Sequence, residues 1–234
     1  MTFACMRSSS MNPEQAEQIQ RDIAQRVIVT DQLADPIRLI AGVDVAYGKE
    51  GDTRVYAGIV LIDAVTLKTV EQVTAVQESA FEYIPGLFAF RELPAVLEAF
   101  GKLKQRPDLV ISDGQGRAHP RRCGLACHFG VTVDLPTIGC GKTRFIGEFE
   151  AVDEARGSSR PLMDAGEQIG NVLRTQAGVK PLFVSIGHRV SLETATSWIL
   201  RLAPEYRQPE PIRRANDLVN QLRRKVSQSE ILDG

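Results

Sequence analysis

The sequence predicts an α/β fold whose mixed sheet joins an antiparallel meander to parallel strands, with helices on both faces. Three strand-like segments rich in β-branched residues follow one another between residues 39 and 77, separated by short polar turns. Beyond them, apolar strand-like segments alternate with segments whose apolar residues recur at helical spacing. This order indicates a sheet covered by helices on both sides. With 234 residues and 43% hydrophobic content, the chain can bury one large core.

The first residues and the first helix have separate signatures. Residues 1–11 lack the apolar core of a signal peptide, and we expect them to form a disordered start. Asn12 followed by Pro13, with Gln15 at the capping-box position, opens a helix that we expect to pack across the outside of the sheet. Residues 12–234 are expected to form a single domain, because no linker or repeat interrupts them.

The meander contains one charge in an apolar strand. Its strands are predicted over Leu39–Tyr47, Arg54–Ile62 and Lys68–Gln77. Asp44 is the only charged residue of the first strand, and a buried carboxylate is costly unless something pairs with it. The sequence therefore predicts a metal or another cation beside Asp44, with a buried salt bridge as the simpler alternative.

An aromatic and proline-containing turn follows the meander. This aromatic turn, Phe81–Gly86, is predicted to expose Tyr83 and Ile84 just before a helix. Pro94 fits the first turn of that helix, which puts Glu92 at its start, where the helix dipole favours a carboxylate. Capping and metal binding are both compatible with Glu92.

The most informative stretch runs from residue 108 to residue 130. The short strand Leu109–Ile111 places Asp113 at its C-terminal end, where open α/β sheets bind ligands. The backbone N–H groups of the following loop, Gly114–Gly116, are predicted to be free for a ligand. In the alternative, Asp113 caps a helix over Cys123–Gly130. Several side chains that seek phosphate follow within the same stretch, and these are Arg117, His119, Arg121 and Arg122.

Nucleotide-cofactor motifs fail when they are tested residue by residue. The dinucleotide pattern would need a glycine at His119, and the P-loop-like run Gly139–Thr143 has Pro136 where its first glycine belongs. An aspartate beside a glycine loop and basic side chains instead indicates metal-assisted phosphodiester chemistry. A strand over Pro136–Gly139 would then deliver Lys142 to a phosphate or a nucleophilic water.

The rest of the chain completes the α/β pattern. Residues 150–160 are polar and are predicted to form a surface excursion. The remaining predicted elements are two strands and two helices, over Gln168–Thr175, Leu182–Ile186, Ser191–Ala203 and Pro211–Val226.

The composition limits the class of function and the cellular compartment that we expect. The formal net charge of −1 is unlike that of a protein that coats DNA non-specifically. The four cysteines have no paired CxxC spacing, so we expect reduced thiols in a cytoplasmic protein. No apolar run reaches the roughly 18 residues of a membrane span. We expect a monomer with no membrane partner.

Acidic residues from the first strand, from the helix after the meander and from a strand end match ribonuclease H-like nucleases. The chain also resembles the endonuclease V family, the repair nucleases of deaminated adenine. The resemblance spans nearly the whole chain after the first helix and rests on AGVDVAY, EYIPGLFAFRE, PDLVISDGQGRAHPRRCGLACHFG, PTIGCGKTRFIG, KPLFVSIGHRVSLETA and EYRQPEPIRRA.

The resemblance implies both an activity and residue roles. The implied reaction is hydrolysis of the second phosphodiester bond 3′ to deoxyinosine, leaving 3′-hydroxyl and 5′-phosphate ends, with Mg²⁺ as cofactor and Mn²⁺ as a substitute. The implied substrate is single- or double-stranded inosine-containing DNA. The implied metal ligands are Asp44, Glu92 and Asp113. Lys142 would lie near the attacking water and the phosphate, and His188 near the metal. The implied wedge is Tyr83-Ile84-Pro85, with Arg121 and Arg122 on the nucleic acid. The implied base pocket is Gly86, Phe88, Gly114, Gly116, His119 and Leu125.

One departure from the family and two alternatives stay open at this point. The family usually reads DGHG, but this chain has Gln115, whose side chain carries no charge. The first alternative is an inosine-specific ribonuclease, because the motifs constrain the base and the phosphate more than the sugar. The second is a binding module without catalysis that recruits partners through its arginine-rich last helix.

Overall fold

The computed structural model describes residues 11–48, 52–79 and 81–232, so the predicted disordered start lies almost wholly outside the described residues. The helices are α1 (Pro13–Arg26), α2 (Phe88–Phe100), α3 (Leu125–Val133), α4 (Leu192–Arg201) and α5 (Glu210–Leu232). The strands are β1 (Leu39–Tyr47), β2 (Arg54–Asp63), β3 (Thr69–Glu78), β4 (Leu109–Asp113), β5 (Thr137–Gly141), β6 (Ser159–Asp164), β7 (Glu167–Leu173) and β8 (Leu182–His188). Among the described helices, none combines the length and the apolar character that crossing a membrane requires.

The strands form one eight-stranded sheet in the order β3-β2-β1-β4-β5-β8-β7-β6. The first three strands pair antiparallel, whereas β1, β4 and β5 are parallel neighbours. This confirms the predicted mixed sheet with its antiparallel meander. The parallel strands end at the same edge, so their C-terminal residues meet there.

Helices cover both faces, as predicted. Alternate residues of β1 point to opposite sides: Ile40 packs with Ile212 of α5, and Ala41 packs with Leu93 of α2. All four of these side chains are fully buried. Gly42 lies where α5 begins, and a Cβ at this position would be 2.1 Å from the carbonyl carbon of Pro211. The absence of a side chain at Gly42 therefore lets α5 lie directly on β1.

The first helix differs from its prediction in position. Its capping box is present: the Asn12 side chain accepts a hydrogen bond from the Gln15 N–H at 2.8 Å, and the Gln15 side chain accepts one from the Asn12 N–H at 3.1 Å. However, α1 packs on α3 instead of the sheet: Ile23 joins the buried thiols of Cys123 and Cys127. The sheet face that α1 was expected to cover is already covered by α2 and α3.

Helix α2 begins earlier than predicted. It begins at Phe88, which puts Pro94 inside the helix and Glu92 in its second turn. Leu87 and Phe90 are buried against Ala16 of α1, and this apolar contact draws the preceding residues into the helix despite the later proline. The carboxylate of Glu92 is therefore too far along α2 to cap it.

A strand replaces part of the predicted surface excursion. Residues 159–164 form β6, which pairs antiparallel with β7 at the edge of the sheet. Pro161 is tolerated there because an edge strand leaves one side of its backbone unpaired. Leu162 is the one buried residue of β6, so the apolar alternation that would reveal a strand is weak.

Candidate active site

Strand register brings three of the predicted catalytic side chains to one edge of the sheet. Val43 of β1 pairs with Ser112 of β4, so Asp44 and Asp113 follow on adjacent strands. Asp113 pairs in turn with Cys140 of β5, and Lys142 follows just beyond this strand. The Lys142 Nζ lies 2.5 Å from the Asp113 Oδ2. Asp113 therefore does not cap α3, whose N-cap is Gly124.

Asp44 is the most buried carboxylate of this edge, with 6% of its surface exposed. Its Oδ2 accepts a hydrogen bond of 2.7 Å from the Asn216 amide, and its Oδ1 accepts one of 2.8 Å from the Val45 N–H. The partners shown are neutral amides, so the salt-bridge alternative is not realised. Burial, and then the charge of Asp113, raise the pKa of Asp44 to about 6.

Asn216 was not identified from the sequence as a residue of the site. It lies on α5 between Ile212 and Val219, which are buried at helical spacing and face the sheet. A polar residue on an otherwise apolar helix face was the available signal. Which carboxylate it meets could not be foreseen, because Asn216 is 172 residues from Asp44 in the chain.

Glu92 approaches the same edge from the opposite face of the sheet. The hydroxyl of Tyr47 donates to the Glu92 Oε1 at 2.6 Å, which makes Tyr47 a second residue that sequence reasoning missed. Glu92 keeps part of its surface exposed but is closely surrounded by protein. Its burial raises its pKa to about 7 despite the Tyr47 hydrogen bond, and the charges of Asp44 and Asp113 act in the same direction.

The donor set of this edge fits a hard divalent cation. Asp44, Glu92 and Asp113 supply carboxylate oxygens, which Mg²⁺ and Mn²⁺ prefer, and their ionised forms repel one another without a cation. Within the ranges that the structure describes, no three His, Cys, Asp or Glu side chains are placed so that they could hold a metal ion as they stand. The fit therefore rests on the chemistry and the charge of the donors.

We expect the raised pKa of Asp44 to make the stability of the metal-free protein depend on pH. Relative to the unfolded chain, the folded protein binds this proton more tightly, so ionisation costs stability as the pH rises from 3.8 to about 6. Asp44→Asn removes this cost. We expect the variant to gain on the order of 2 kcal/mol relative to wild type between pH 4 and pH 7.

The measurement is urea unfolding of both proteins in EDTA across this pH range. Comparing the two proteins cancels the titration of groups that do not interact with Asp44. The Asp44 charge also raises the pKa of Glu92, so the loss of that charge adds to the gain of the variant in the same direction. Asp153→Asn, at a carboxylate that is 69% exposed, is the control and should follow wild type. A constant difference between Asp44→Asn and wild type would contradict the assignment.

Lys142 is held as a cation. Burial alone would lower its pKa, but the ion pair with Asp113 outweighs burial and raises the pKa of Lys142 above its usual value. Its loop is fixed at two points: the Arg207 guanidinium donates to the Lys142 carbonyl at 2.6 Å, and the Gln115 amide donates to the Thr143 carbonyl at 3.1 Å. Lys142 can therefore stabilise negative charge but is poorly suited to act as a base.

Gln115 is expected to act on the Lys142 loop. In Gln115→Met the Thr143 carbonyl loses its donor, so the loop opens more often. We expect trypsin to cleave after Lys142 and Arg144 several-fold faster in this variant, as mapped by mass spectrometry of short digests. Gln168→Met is the matched control, because the Gln168 amide bonds to the Asn171 side chain instead. Equal cleavage rates in wild type and Gln115→Met would refute this role.

His188 does not belong to this edge, and its predicted position near the metal is wrong. It pairs with Thr137 at the start of β5, whereas Cys140, beside Asp113, pairs with Val184. Thr137 and Cys140 are three residues apart in β5, which corresponds to about 10 Å along the strand. His188 instead accepts from the Ile28 N–H at 3.2 Å, and its other ring nitrogen lies 3.5 Å from Asp134. It connects the segment after α1 to the far end of the sheet.

The aromatic turn projects Tyr83 into solvent, with 64% of its surface exposed. Its ring lies 4.6 Å from the ring of Phe88 and 6.0 Å from that of Tyr47, measured between centroids. Ile84 was expected to be exposed, but it packs against Phe90 and is partly buried. The exposed residues of the turn are therefore Glu82, Tyr83 and Pro85.

The predicted base pocket is organised around the carbonyl of Gly86. This oxygen lies 3.0 Å from the His119 Nε2 and accepts from Arg121 at 2.8 Å and from Gln20 at 3.0 Å. Burial, and then the charge of Arg121, lower the pKa of His119 to about 4, so its ring is neutral near pH 7. Phe145, which sequence reasoning missed, is 41% exposed and lies 5.5 Å from the His119 ring.

Arg121 and Arg122 both bond to other groups of the protein. Arg121 also donates to the side chains of Gln20 and Glu17, which ties α1 to the pocket. Arg122 pairs with Glu167 at 2.7 Å and with Asp164 at 2.8 Å. Both guanidinium groups are therefore anchored to the protein, and their contact with nucleic acid stays a prediction.

The loop N–H groups of Gly114 and Gly116 are not free, which corrects a second expectation. The Gly114 N–H bonds to the Cys140 carbonyl at 3.3 Å, and the Gly116 N–H bonds to the Ser185 hydroxyl at 2.8 Å. A Cβ on Gly116 would be 2.1 Å from the Ile186 carbonyl oxygen, whereas the space beside Gly114 is open. Gly116 serves close packing, and Gly114 is the glycine that leaves room for a ligand.

The last two predicted pocket residues differ in exposure. Phe88 is half-buried beside the aromatic turn. Leu125 is only 7% exposed and packs in the core between α2 and α3. Phe88 is therefore partly accessible from solvent, whereas Leu125 belongs to the core.

Comparison with known proteins adds an independent line of evidence. The family model for Endonuclease V matches residues 21–217 of this chain. Endonuclease V of Myxococcus xanthus is 43% identical over 223 residues, which cover 95% of this chain and 94% of that protein.

Solved structures agree with the sequence comparison. The crystal structure of Endonuclease V from Streptomyces avermitilis has a TM-score of 0.89 at 43% identity, over 94% of this chain and 96% of that one. Ciona intestinalis Endonuclease V, in complex with a 24mer DNA containing an inosine followed by a ribo-adenosine, has a TM-score of 0.80 at 25% identity. The match covers 91% of this chain and 98% of that one.

Proposed function

The chain belongs to the endonuclease V family, and from this premise we propose that it is a metal-dependent endonuclease that cuts DNA beside deoxyinosine. We further propose that it hydrolyses the second phosphodiester bond 3′ to the lesion and leaves 3′-hydroxyl and 5′-phosphate ends. Mg²⁺ is the proposed cofactor, with Mn²⁺ as a substitute. The observation that carries the proposal is the joint position of Asp44, Asp113 and Lys142 beside an exposed aromatic turn.

The carboxylates and Lys142 have different tasks in this proposal. Asp44, Glu92 and Asp113 would hold the metal, which supplies an activated water and neutralises charge on the phosphate. Asn216 fixes the orientation of the Asp44 carboxylate, and Tyr47 fixes that of Glu92. Lys142 brings a fixed positive charge to the same edge, where it favours the pentacovalent phosphate over the ground state.

The aromatic turn and the pocket would act on the base. Removing a base from the stack costs a few kcal/mol, which an inserted side chain offsets by filling the vacated space. Tyr83 is the exposed ring that can do this. The open space beside Gly114 and the neutral ring of His119 support the proposal that this region would hold the base while the backbone is cut.

We expect Tyr83→Ala to lower activity more on double-stranded than on single-stranded inosine DNA. Single strands hardly incur the unstacking cost, so about tenfold more activity is lost on the duplex. The measurement is the single-turnover cleavage rate on both substrates. Tyr206→Ala, at a second tyrosine that is 50% exposed, should leave their ratio unchanged. Equal losses in Tyr83→Ala on both substrates would indicate packing instead of insertion.

A ribonuclease is the second candidate, because the Ciona intestinalis complex carries a ribo-adenosine after its inosine. The deciding experiment uses matched oligonucleotides that contain deoxyinosine in DNA or inosine in RNA, with Mg²⁺ or with EDTA. Analysis of the product ends locates the cut. Faster cleavage of RNA would favour the ribonuclease. Tight binding without cleavage in Mg²⁺ would favour a binding module and refute both nuclease assignments.

A further inference from the structure

Tyr47 contacts both the predicted catalytic carboxylate and the aromatic turn. It is the last residue of β1 and points to the face that α2 covers, opposite to Asp44. Its hydroxyl donates to the Glu92 Oε1 at 2.6 Å. Its ring meets the ring of Tyr83 edge-on, with centroids 6.0 Å apart and planes at 81°. One side chain thus contacts a group that binds metal and a group that enters DNA in the proposed function.

Further contacts bind the aromatic turn and Glu92 into one assembly. The Arg91 guanidinium carbon lies 5.4 Å from the centroid of the Tyr47 ring, and its Nη1 donates to the Phe81 carbonyl at 2.6 Å. Phe88, whose ring touches Tyr83, lies one helical turn before Glu92 on α2. A displacement of the Tyr83 ring therefore acts on the neighbours of Glu92.

We propose that Tyr47 is a positioning residue that links insertion of Tyr83 to the placement of the Glu92 carboxylate. Its hydroxyl fixes the carboxylate, and its ring supports the inserted tyrosine. The inference rests on the proposed function, because it gives Glu92 and Tyr83 the roles assigned to them there. It adds a residue that holds the two parts of the site in a fixed relation.

The two contacts can be removed separately. Tyr47→Phe deletes the hydrogen bond to Glu92 but keeps the ring against Tyr83 and Arg91. Tyr47→Leu deletes both contacts. Tyr56→Phe is the matched control, because Tyr56 lies on the adjacent strand β2 and its hydroxyl bonds to Asp52 instead, at 3.4 Å.

The experiment measures single-turnover cleavage of single- and double-stranded inosine DNA, its Mn²⁺ dependence, and DNA binding in EDTA. For Tyr47→Phe we expect about tenfold slower cleavage of both substrates and a several-fold higher half-saturating Mn²⁺ concentration, because a hydrogen bond to a charged group is lost. Its DNA affinity should equal that of wild type. For Tyr47→Leu we expect a further several-fold loss confined to the duplex. Tyr56→Phe should match wild type in all of these measurements.

The role of the Tyr47 hydroxyl and the role of the Tyr47 ring are tested by different outcomes. Wild-type rate and Mn²⁺ dependence in Tyr47→Phe would overturn the role of the hydroxyl. An unchanged ratio of duplex to single-strand rates in Tyr47→Leu would overturn the role of the ring. If Tyr47→Leu fails to fold, Tyr47→Met takes its place with the same criterion. If wild type itself does not cut beside inosine, the proposed function fails, and this outcome is recognised before any variant is compared.

Discussion

Asp113→Asn is expected to lower the rate of cleavage beside inosine by about three orders of magnitude while leaving DNA binding unchanged. Asparagine has nearly the same shape as aspartate, so the fold of the strand end is retained. It removes one negative charge from the donor set and leaves Lys142 without the partner that now lies 2.5 Å away. Transition-state charge then loses stabilisation, whereas the surfaces that recognise the base are untouched.

The test for Asp113→Asn combines single-turnover cleavage in Mg²⁺ with DNA binding in EDTA. Asp134→Asn is the matched control, because Asp134 is 64% exposed and lies at the far end of the sheet beside His188. The control should cut at the wild-type rate. Cleavage by Asp113→Asn within tenfold of wild type would remove Asp113 from the catalytic groups.

Lys142→Met is expected to slow cleavage by about 100-fold, the cost of removing one fixed group that stabilises transition-state charge. Because Asp113 keeps the pKa of Lys142 above its usual value, the lysine acts as a cation across the neutral range. The variant should therefore be slower at every pH, with a pH–rate profile of the same form. If Lys142 acted as a base, the substitution would instead remove one limb of the pH–rate profile as well as lower the rate.

The pH–rate profile of Lys142→Met is the decisive measurement. Lys102→Met serves as its control, because Lys102 carries the same charge but is 48% exposed and pairs with Glu98 on α2. This control should keep the wild-type rate. A changed number of limbs in Lys142→Met would assign Lys142 to proton transfer, and an unchanged rate would exclude it from catalysis.

The sequence predicted those parts of the fold that local patterns specify. The bounds of β1 were predicted correctly, because an apolar run ends at a polar turn. The start of α2 was not, because Pro94 is a strong local signal that tertiary burial of Leu87 and Phe90 overrides. Strand β6 was missed because its pairing with β7 is not visible in its own residues.

In the candidate site, too, local sequence patterns were predictable and long-range contacts were not. Asp44 and Asp113 could be found because each is a charge in or beside an apolar strand. The protein partner of Arg122 could not be predicted, because nothing near it in the sequence shows that Glu167, 45 residues away, pairs with it. The carboxylate partners of Tyr47 and Asn216 could not be predicted, because each partner belongs to another element.

The contact between α5 and Asp44 has a consequence for the newly synthesised protein. Asp44 leaves the ribosome early, but Asn216 follows 172 residues later and reaches Asp44 only when α5 docks over Gly42. At about 5–20 residues per second, translation alone separates the two by roughly ten to thirty seconds. Contacts this distant in the chain also form late in folding. The nascent chain thus gains the bond between Asn216 and Asp44 last, so a half-made protein that meets DNA still lacks the oriented Asp44 carboxylate.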